Sequence, residues 1–204
     1  MAGLRAKRME ETREKLIEAA RKAFAEQGYA AASMDDLTAA AGLTRGALYH
    51  NFGDKRGLLA AVVDRIDSEM AARAQARAAE AGGDEWSRLL AEGAAYIESA
   101  LDPEVRRIVL LDGPAALGDP SLWPSQNRCL AATMRSLETL SRAGALAPVD
   151  IEAAARLLNG AALNAALWVA ASDAPEDVLA RAKAAFVRLA SGLLAGRGAP
   201  RAGP

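Results

Sequence analysis

Gly42-Leu43-Thr44-Arg45-Gly46-Ala47-Leu48-Tyr49-His50-Asn51-Phe52-Gly53-Asp54-Lys55-Arg56-Gly57-Leu58-Leu59 decides the reading of this chain. Thr44 is a good N-cap, and a short helix after it turns Leu43, Ala47, Leu48 and Phe52 toward its neighbours. That leaves Thr44, Arg45, Gly46, Tyr49 and His50 on the outer surface. The outer set suits a DNA major groove. Arg45 can donate to guanine, Thr44 or Tyr49 can bond a phosphate or a base edge, and Gly46 lets the backbone come close. Gly53 ends the helix, Asp54 caps the next one, and Lys55 falls in its first turn, where exposed N–H groups help to hold a phosphate.

Upstream, Ser33-Met34-Asp35-Asp36 has the form of a capping box and opens a short helix with Met34, Leu37 and Ala41 inward. Before it, Leu16, Ile17, Ala20, Ala23 and Phe24 share one face of a helix from about Thr12 to Gln27, which Gly28 stops. Two short helices joined by a tight Gly-containing turn and backed by an amphipathic helix make a helix-turn-helix. Arg5, Lys7 and Arg8 read either as an arm beside the minor groove or as a solvated tail.

Downstream, helical segments are expected at Asp54–Ala81, Glu85–Ala100, Pro103–Leu111, Ser121–Arg142, Ile151–Ala171 and Pro175–Leu194. Breaks are expected at Gly82-Gly83, Asp102-Pro103, Asp112-Gly113-Pro114, Gly118-Asp119-Pro120, Gly144–Asp150 and Ser172–Pro175. Alanine is abundant and β-branched residues are few, so the fold class is all-α with about nine helices. No apolar run reaches the roughly 18 residues of a membrane helix, and Met1–Glu11 lacks the apolar stretch of a secretory signal. A cytoplasmic protein is expected.

The single cysteine, Cys129, and the single histidine, His50, exclude an intrachain disulfide and a Cys- or His-pair metal cluster. No phosphate loop or activated serine is present either, so neither catalysis nor a cofactor is expected. The net charge of −1 hides an asymmetry. Residues 1–60 carry ten Lys/Arg against eight Asp/Glu, and the remainder carries fifteen against eighteen. A mildly basic head on a mildly acidic body fits a DNA reader.

Residues 12–59 resemble the N-terminal domain of the TetR family, the tetracycline-repressor-like regulators. Leu16–Tyr29 follows the family pattern ILxAAxxLFxExGY, and Ala32–Leu59 is similar to TSMDDLAxAAGVSRGALYHHFxSKxxLL. Asn51 departs from a usual aromatic or His, and Gly53-Asp54 from a commoner Pro/Lys-Ser. Arg107–Pro114 also looks like a stretch of one branch of the family's C-terminal domains. The resemblance implies that Arg45, Gly46 and Tyr49 face bases while Ser33, Thr44, His50 and Lys55 hold phosphates. It implies a DNA-binding domain over residues 1–53, with residues 1–10 a flexible basic arm. An effector and dimerisation domain then spans 54–195; the tail over 196–204, rich in Gly, Ala and Pro, is expected to be disordered. The resemblance further implies an Ω-shaped homodimer acting as a repressor that a small molecule releases from a pseudo-palindromic operator.

The last two helices, about 151–171 and 175–194, are apolar on more than one face. They are either internal core or, as the resemblance implies, a four-helix bundle with a second copy. Trp86, Tyr96, Arg107, Trp123, Asn127, Met134 and Trp168 have the make-up of an effector pocket with apolar walls and a few polar anchors; ordinary core packing accounts for the same residues. Asp112, Gln126, Cys129 and Asn164 lie near them in sequence. Rival functions are a helical ligand carrier or protein adaptor that does not touch DNA, and an activator of the same fold.

Overall fold

In the computed structural model, which describes residues 2–196 and only the backbone of residues 2–5 and 81, every regular element is helical. Among the described residues there are nine α-helices and no strand: α1 Ala2–Gln27, α2 Met34–Ala40, α3 Arg45–Phe52, α4 Lys55–Ala81, α5 Glu85–Glu98, α6 Gly113–Leu117, α7 Pro124–Arg142, α8 Ile151–Ala171 and α9 Pro175–Ser191. The all-α expectation holds. No helix is long and apolar enough to cross a membrane.

Two compact units are present. The first comprises residues up to 68 together with 102–120. Its buried side chains include Leu16, Ile17, Phe24, Leu37, Leu48, Leu58, Leu59 and Ile66, together with Val105, Ile108 and Val109. The second comprises 69–101 and the chain from 121 onward. There α5 packs against α7, α8 and α9, α7 against α8, and α8 against α9. Its core is alanine-rich along α8, where Ala154, Ala155, Ala162 and Ala166 are buried, and is filled by Leu137, Leu140, Val169 and Phe186. Small side chains let helix axes come close, which is why Gly93 on α5 is needed: a Cβ there would stand 2.4 Å from the Phe186 ring.

Packing divides the chain differently from a boundary after Gly53. The start of α4 and the distant segment 102–120 both belong with the three N-terminal helices.

Four local expectations are corrected. Helix α1 begins at Ala2 rather than Thr12. Residues 4–11 are strong helix formers, and the Thr12 hydroxyl donates back to the Arg8 carbonyl at 2.9 Å, so Thr12 lies inside the helix rather than at its start. Lys7 and Arg8 are therefore exposed helical residues, not part of an extended arm.

The chain also stays helical through Asp112-Gly113-Pro114. Residues Val105–Asp112 form a π-helix, and Gly113 donates to the Ile108 carbonyl five residues back. The wider turn relieves the clash that a proline ring makes with the carbonyl four residues before it. Helix α7 starts at Pro124, after a 3₁₀ turn over Pro120–Leu122. Helix α9 stops at Ser191 because the chain beyond Gly192 pairs with another segment. Ala147 donates to Leu193 O, and Ala195 donates to Ala145 O, both at 3.0 Å. The tail from residue 197 lies outside the described residues.

Candidate nucleic-acid interface

The first unit presents α3 as an exposed ridge. Ser33 caps α2: its hydroxyl accepts from the Asp36 N–H at 3.0 Å and donates to the Asp36 carboxylate at 2.8 Å. The Ser33 cap expected from the sequence is present, with the Asp36 carboxylate accepting from the Ser33 hydroxyl rather than from a backbone N–H. Leu37 and Thr38 anchor α2 inward. The turn closes through Leu43 N–H to Thr38 O at 2.9 Å, with Gly42 at φ +65°, a backbone that favours glycine. Thr44 then caps α3, accepting from Ala47 N–H at 3.2 Å.

Leu48 is fully buried, whereas Thr44, Arg45, Gly46, Tyr49 and His50 are exposed. The inward and outward sets are those read from the sequence. Arg13 stacks its guanidinium 4.8 Å from the Phe52 ring, closing the end of α3 against α1.

Lys55 lies in the first turn of α4. Its ammonium donates to Ala30 O at 3.3 Å and sits 4.6 Å over the Tyr29 ring, and burial pulls its pKa below the ordinary lysine value. Arg45 is fork-bonded to Asp35, Nε and Nη2 meeting the two carboxylate oxygens.

Behind this ridge, the segment around the π-helix is pinned by charge. Arg21 makes a two-bond pair with Glu104, both bonds at 2.7 Å. Asp112 accepts from Tyr29 N–H at 2.8 Å, and Arg107 donates to the last carbonyls of α1, Ala25 O and Glu26 O. Arg56 reaches Ala116 O and Leu117 O at 3.0 and 3.1 Å. The Arg107 and Arg56 bonds satisfy carbonyls that the C-terminal ends of α1 and α6 leave open.

The candidate effector residues divide. Trp86 and Tyr96 on α5 and Met134 on α7 are half-buried on packed helices of the second unit, and Trp123 at the start of α7 is buried. Arg107 is not with them: it belongs to the first unit, holding the end of α1, and Asp112 is likewise used there. Asn127 is exposed, and Trp168 is 45% exposed under the Arg181 guanidinium at 5.3 Å. Spacing alone did not separate a wall residue from one on the outer face.

Two family models together match most of the chain. "Bacterial regulatory proteins, tetR family" matches residues 16–62, and "Tetracyclin repressor-like, C-terminal domain" matches 86–193. The chain belongs to the TetR family. A solved TetR-family transcriptional regulator from Pectobacterium atrosepticum is 48% identical, covers 93% of this chain and 97% of its own, and has a TM-score of 0.83. The HTH-type transcriptional repressor AcnR of Corynebacterium glutamicum is 42% identical over 60 residues, 29% of this chain and 32% of AcnR. The HTH-type transcriptional regulator TtgR of Pseudomonas putida is 35% identical over 102 residues, 48% of each chain. This chain thus spans a third to a half of the length of those two curated relatives.

Within this TetR-family chain, several residues escaped the sequence reading. Asp35 was treated only as part of a cap. Arg21, Glu104 and Arg56 pair across some sixty to eighty residues of sequence, so no local pattern announces them. Gly57 carried the one available signal, a glycine in the first turn of a helix that offers no obvious reason for it.

Glu92 on α5 also went unremarked. Burial, and then the neighbouring Glu85 carboxylate, push its pKa above the ordinary glutamate range. The folded chain therefore holds this proton more tightly than the unfolded chain. Stability falls as pH rises from the ordinary glutamate value through the raised one. Glu92→Gln is expected to melt higher than the parent at pH 7, with the gap closing in acid. Equal melting temperatures across the pH range would rule this out.

Proposed function

We propose that this TetR-family chain is a cytoplasmic transcriptional repressor that binds a pseudo-palindromic DNA operator as a homodimer and leaves it when a small molecule binds the second unit. The observation that carries the reading is the ridge of α3. Arg45, Gly46 and Tyr49 stand exposed for base edges between Thr44 and His50, on a helix fixed by two caps and a glycine turn. Ser33, Thr44, His50 and Lys55 then hold phosphates. Repression follows the relatives described as repressors, and the chain acts by binding rather than by catalysis.

A dimer built on α8 and α9 sets two such ridges about one DNA turn apart, roughly 34–36 Å. The effector is assigned to the half-buried Trp86, Tyr96 and Met134 with Trp123. The Trp123 Nε1 and, on α8, the Asn159 Nδ2 are buried donors without an acceptor. An effector carrying a hydrogen-bond acceptor would satisfy a group that is otherwise costly to bury. It acts by binding the DNA-competent and DNA-incompetent dimers with different affinity.

The test is selection of bound sequences from a pool of random duplexes, repeated at rising salt. A pseudo-palindrome whose affinity falls steeply with salt supports the reading, because neutralised phosphates release counterions. Failure to enrich any sequence at low salt would instead favour an adaptor or ligand carrier. On the selected operator, Lys55→Ala should weaken binding to all sequences alike and lower the salt slope by about one. An unchanged slope would remove Lys55 from the phosphate contacts.

A further inference from the structure

Within α3, Arg45–Phe52, Arg45 is the only arginine or lysine, and it is not loose in solvent. Its Nε and Nη2 meet Oδ1 and Oδ2 of Asp35 edge to edge. The two side chains remain 57% and 65% exposed, so the pair stands on the surface ridge rather than in the core. Asp35 itself is held firmly. It lies in the first turn of α2, between the Ser33 cap and the buried Leu37 and Thr38. The carboxylate thus reaches Arg45 from a rigid element, not from a loop.

A guanidinium has five N–H groups in a planar fork, and a two-bond carboxylate pair on Nε and Nη2 uses only one edge. The end-on edge, Nη1 with the second N–H of Nη2, keeps two parallel donors. Two parallel donors are what the O6 and N7 acceptors of guanine take up. We infer that Asp35 is a specificity-determining positioning residue. It grips one edge of Arg45 so that the other edge reads a guanine, and its charge keeps Arg45 from pairing with any phosphate in reach. This rests on the DNA-reading function proposed above.

Two consequences separate this role from mere support of α2. Without Asp35, Arg45 is a long flexible cation that gains as much from a phosphate as from a base. Base discrimination then falls while sequence-independent binding rises. And Asp35 matters for discrimination only while Arg45 is present.

The experiment uses the full chain as wild type, Asp35→Ala, Arg45→Ala and the double variant. Each is titrated with the selected operator, with every single base-pair variant of one half-site, and with an unrelated duplex, at several salt concentrations. Asp35→Ala is expected to lose about 5- to 50-fold of discrimination at one G·C pair. It should also bind the unrelated duplex more tightly, with a salt slope steeper by about one. In the Arg45→Ala background, Asp35→Ala should leave the discrimination profile unchanged, which is the double-mutant test of coupling.

An Asp35→Ala profile matching wild type at every base pair would overturn the role of Asp35 while leaving DNA reading intact. If the wild type itself selects no sequence, the DNA reading fails and this role fails with it. Circular dichroism checks that α2 survives. Should the alanine variant not fold, Asp35→Asn, which keeps the shape but loses the charge and one acceptor, carries the same expectations and the same refutation.

Discussion

Leu157→Arg will run as a folded monomer and bind the operator about 10²- to 10⁴-fold more weakly than the parent. Leu157 is 75% exposed on α8, an unusual place for a large apolar side chain. Gly160, Ala161, Asn164 and Trp168 follow it at spacings of three, four, seven and eleven, so they continue one stripe along the helix. On α9, Val187 and Leu189 are also exposed, the latter 69%. Arg181 from α9 lies over Trp168 from α8, so the exposed side of α8 borders α9 there.

In the homodimer proposed above, a second copy covers these exposed apolar side chains symmetrically. Placing a guanidinium at Leu157 leaves the inner core of the second unit untouched, since on α8 it is Leu158 and Ala162 that are buried there. The monomer therefore keeps its fold but loses the second half-site, and with it the gain that comes from tethering two readers. Sedimentation gives the mass, and titration of a full operator and of a half-operator gives the affinities. A variant that still sediments as a dimer would move the interface away from α8 and α9.

The sequence was most informative where the physics is local. Ser33, Thr44 and Asp54 each accept from the N–H three residues on, in the first turn of the helix that follows. Such a bond depends only on neighbours, so it can be read from a line of text. The outward set on α3 was legible for the same reason, since helical period fixes which residues share a face. Long-range pairing was not. Nothing near Glu104 or Arg21 says that they meet, and without that pair the segment 102–120 reads as part of whichever domain surrounds it. Pro114 misled in the opposite sense. An α-helix would have broken there, but a π-helical turn removes the clash. Arg107 was drawn into a pocket by its neighbours in sequence, while its side chain serves the end of α1.

Gly57→Ala tests the junction between the reading helix and the long α4, and here two effects of opposite sign compete. On helix propensity alone, alanine is better than glycine by about 1 kcal/mol, so the variant would gain stability. The surroundings reverse this. A Cβ at Gly57 would stand 2.0 Å from the Phe52 carbonyl oxygen and 3.1 Å from its carbon, and both are backbone atoms that no rotamer change can move. Phe52 ends α3, Gly53 turns the chain at φ +77°, and Asp54 caps α4 through Gly57 N–H at 2.7 Å. Relief of the clash therefore requires α3 to shift against α4, which disturbs Leu48, Leu58 and Leu59, all buried. Overpacking against fixed atoms outweighs the propensity term, and a net loss of about 2–4 kcal/mol is expected. Gly46→Ala supplies the contrast: the nearest neighbour of its Cβ is the Thr44 hydroxyl oxygen at 3.7 Å, so propensity wins and the chain gains up to about 1 kcal/mol. Denaturant titration of both variants measures the two signs together. If Gly57→Ala proves as stable as the parent, α3 does not meet α4 this closely, and Lys55 and Arg45 are not held in one frame by this turn.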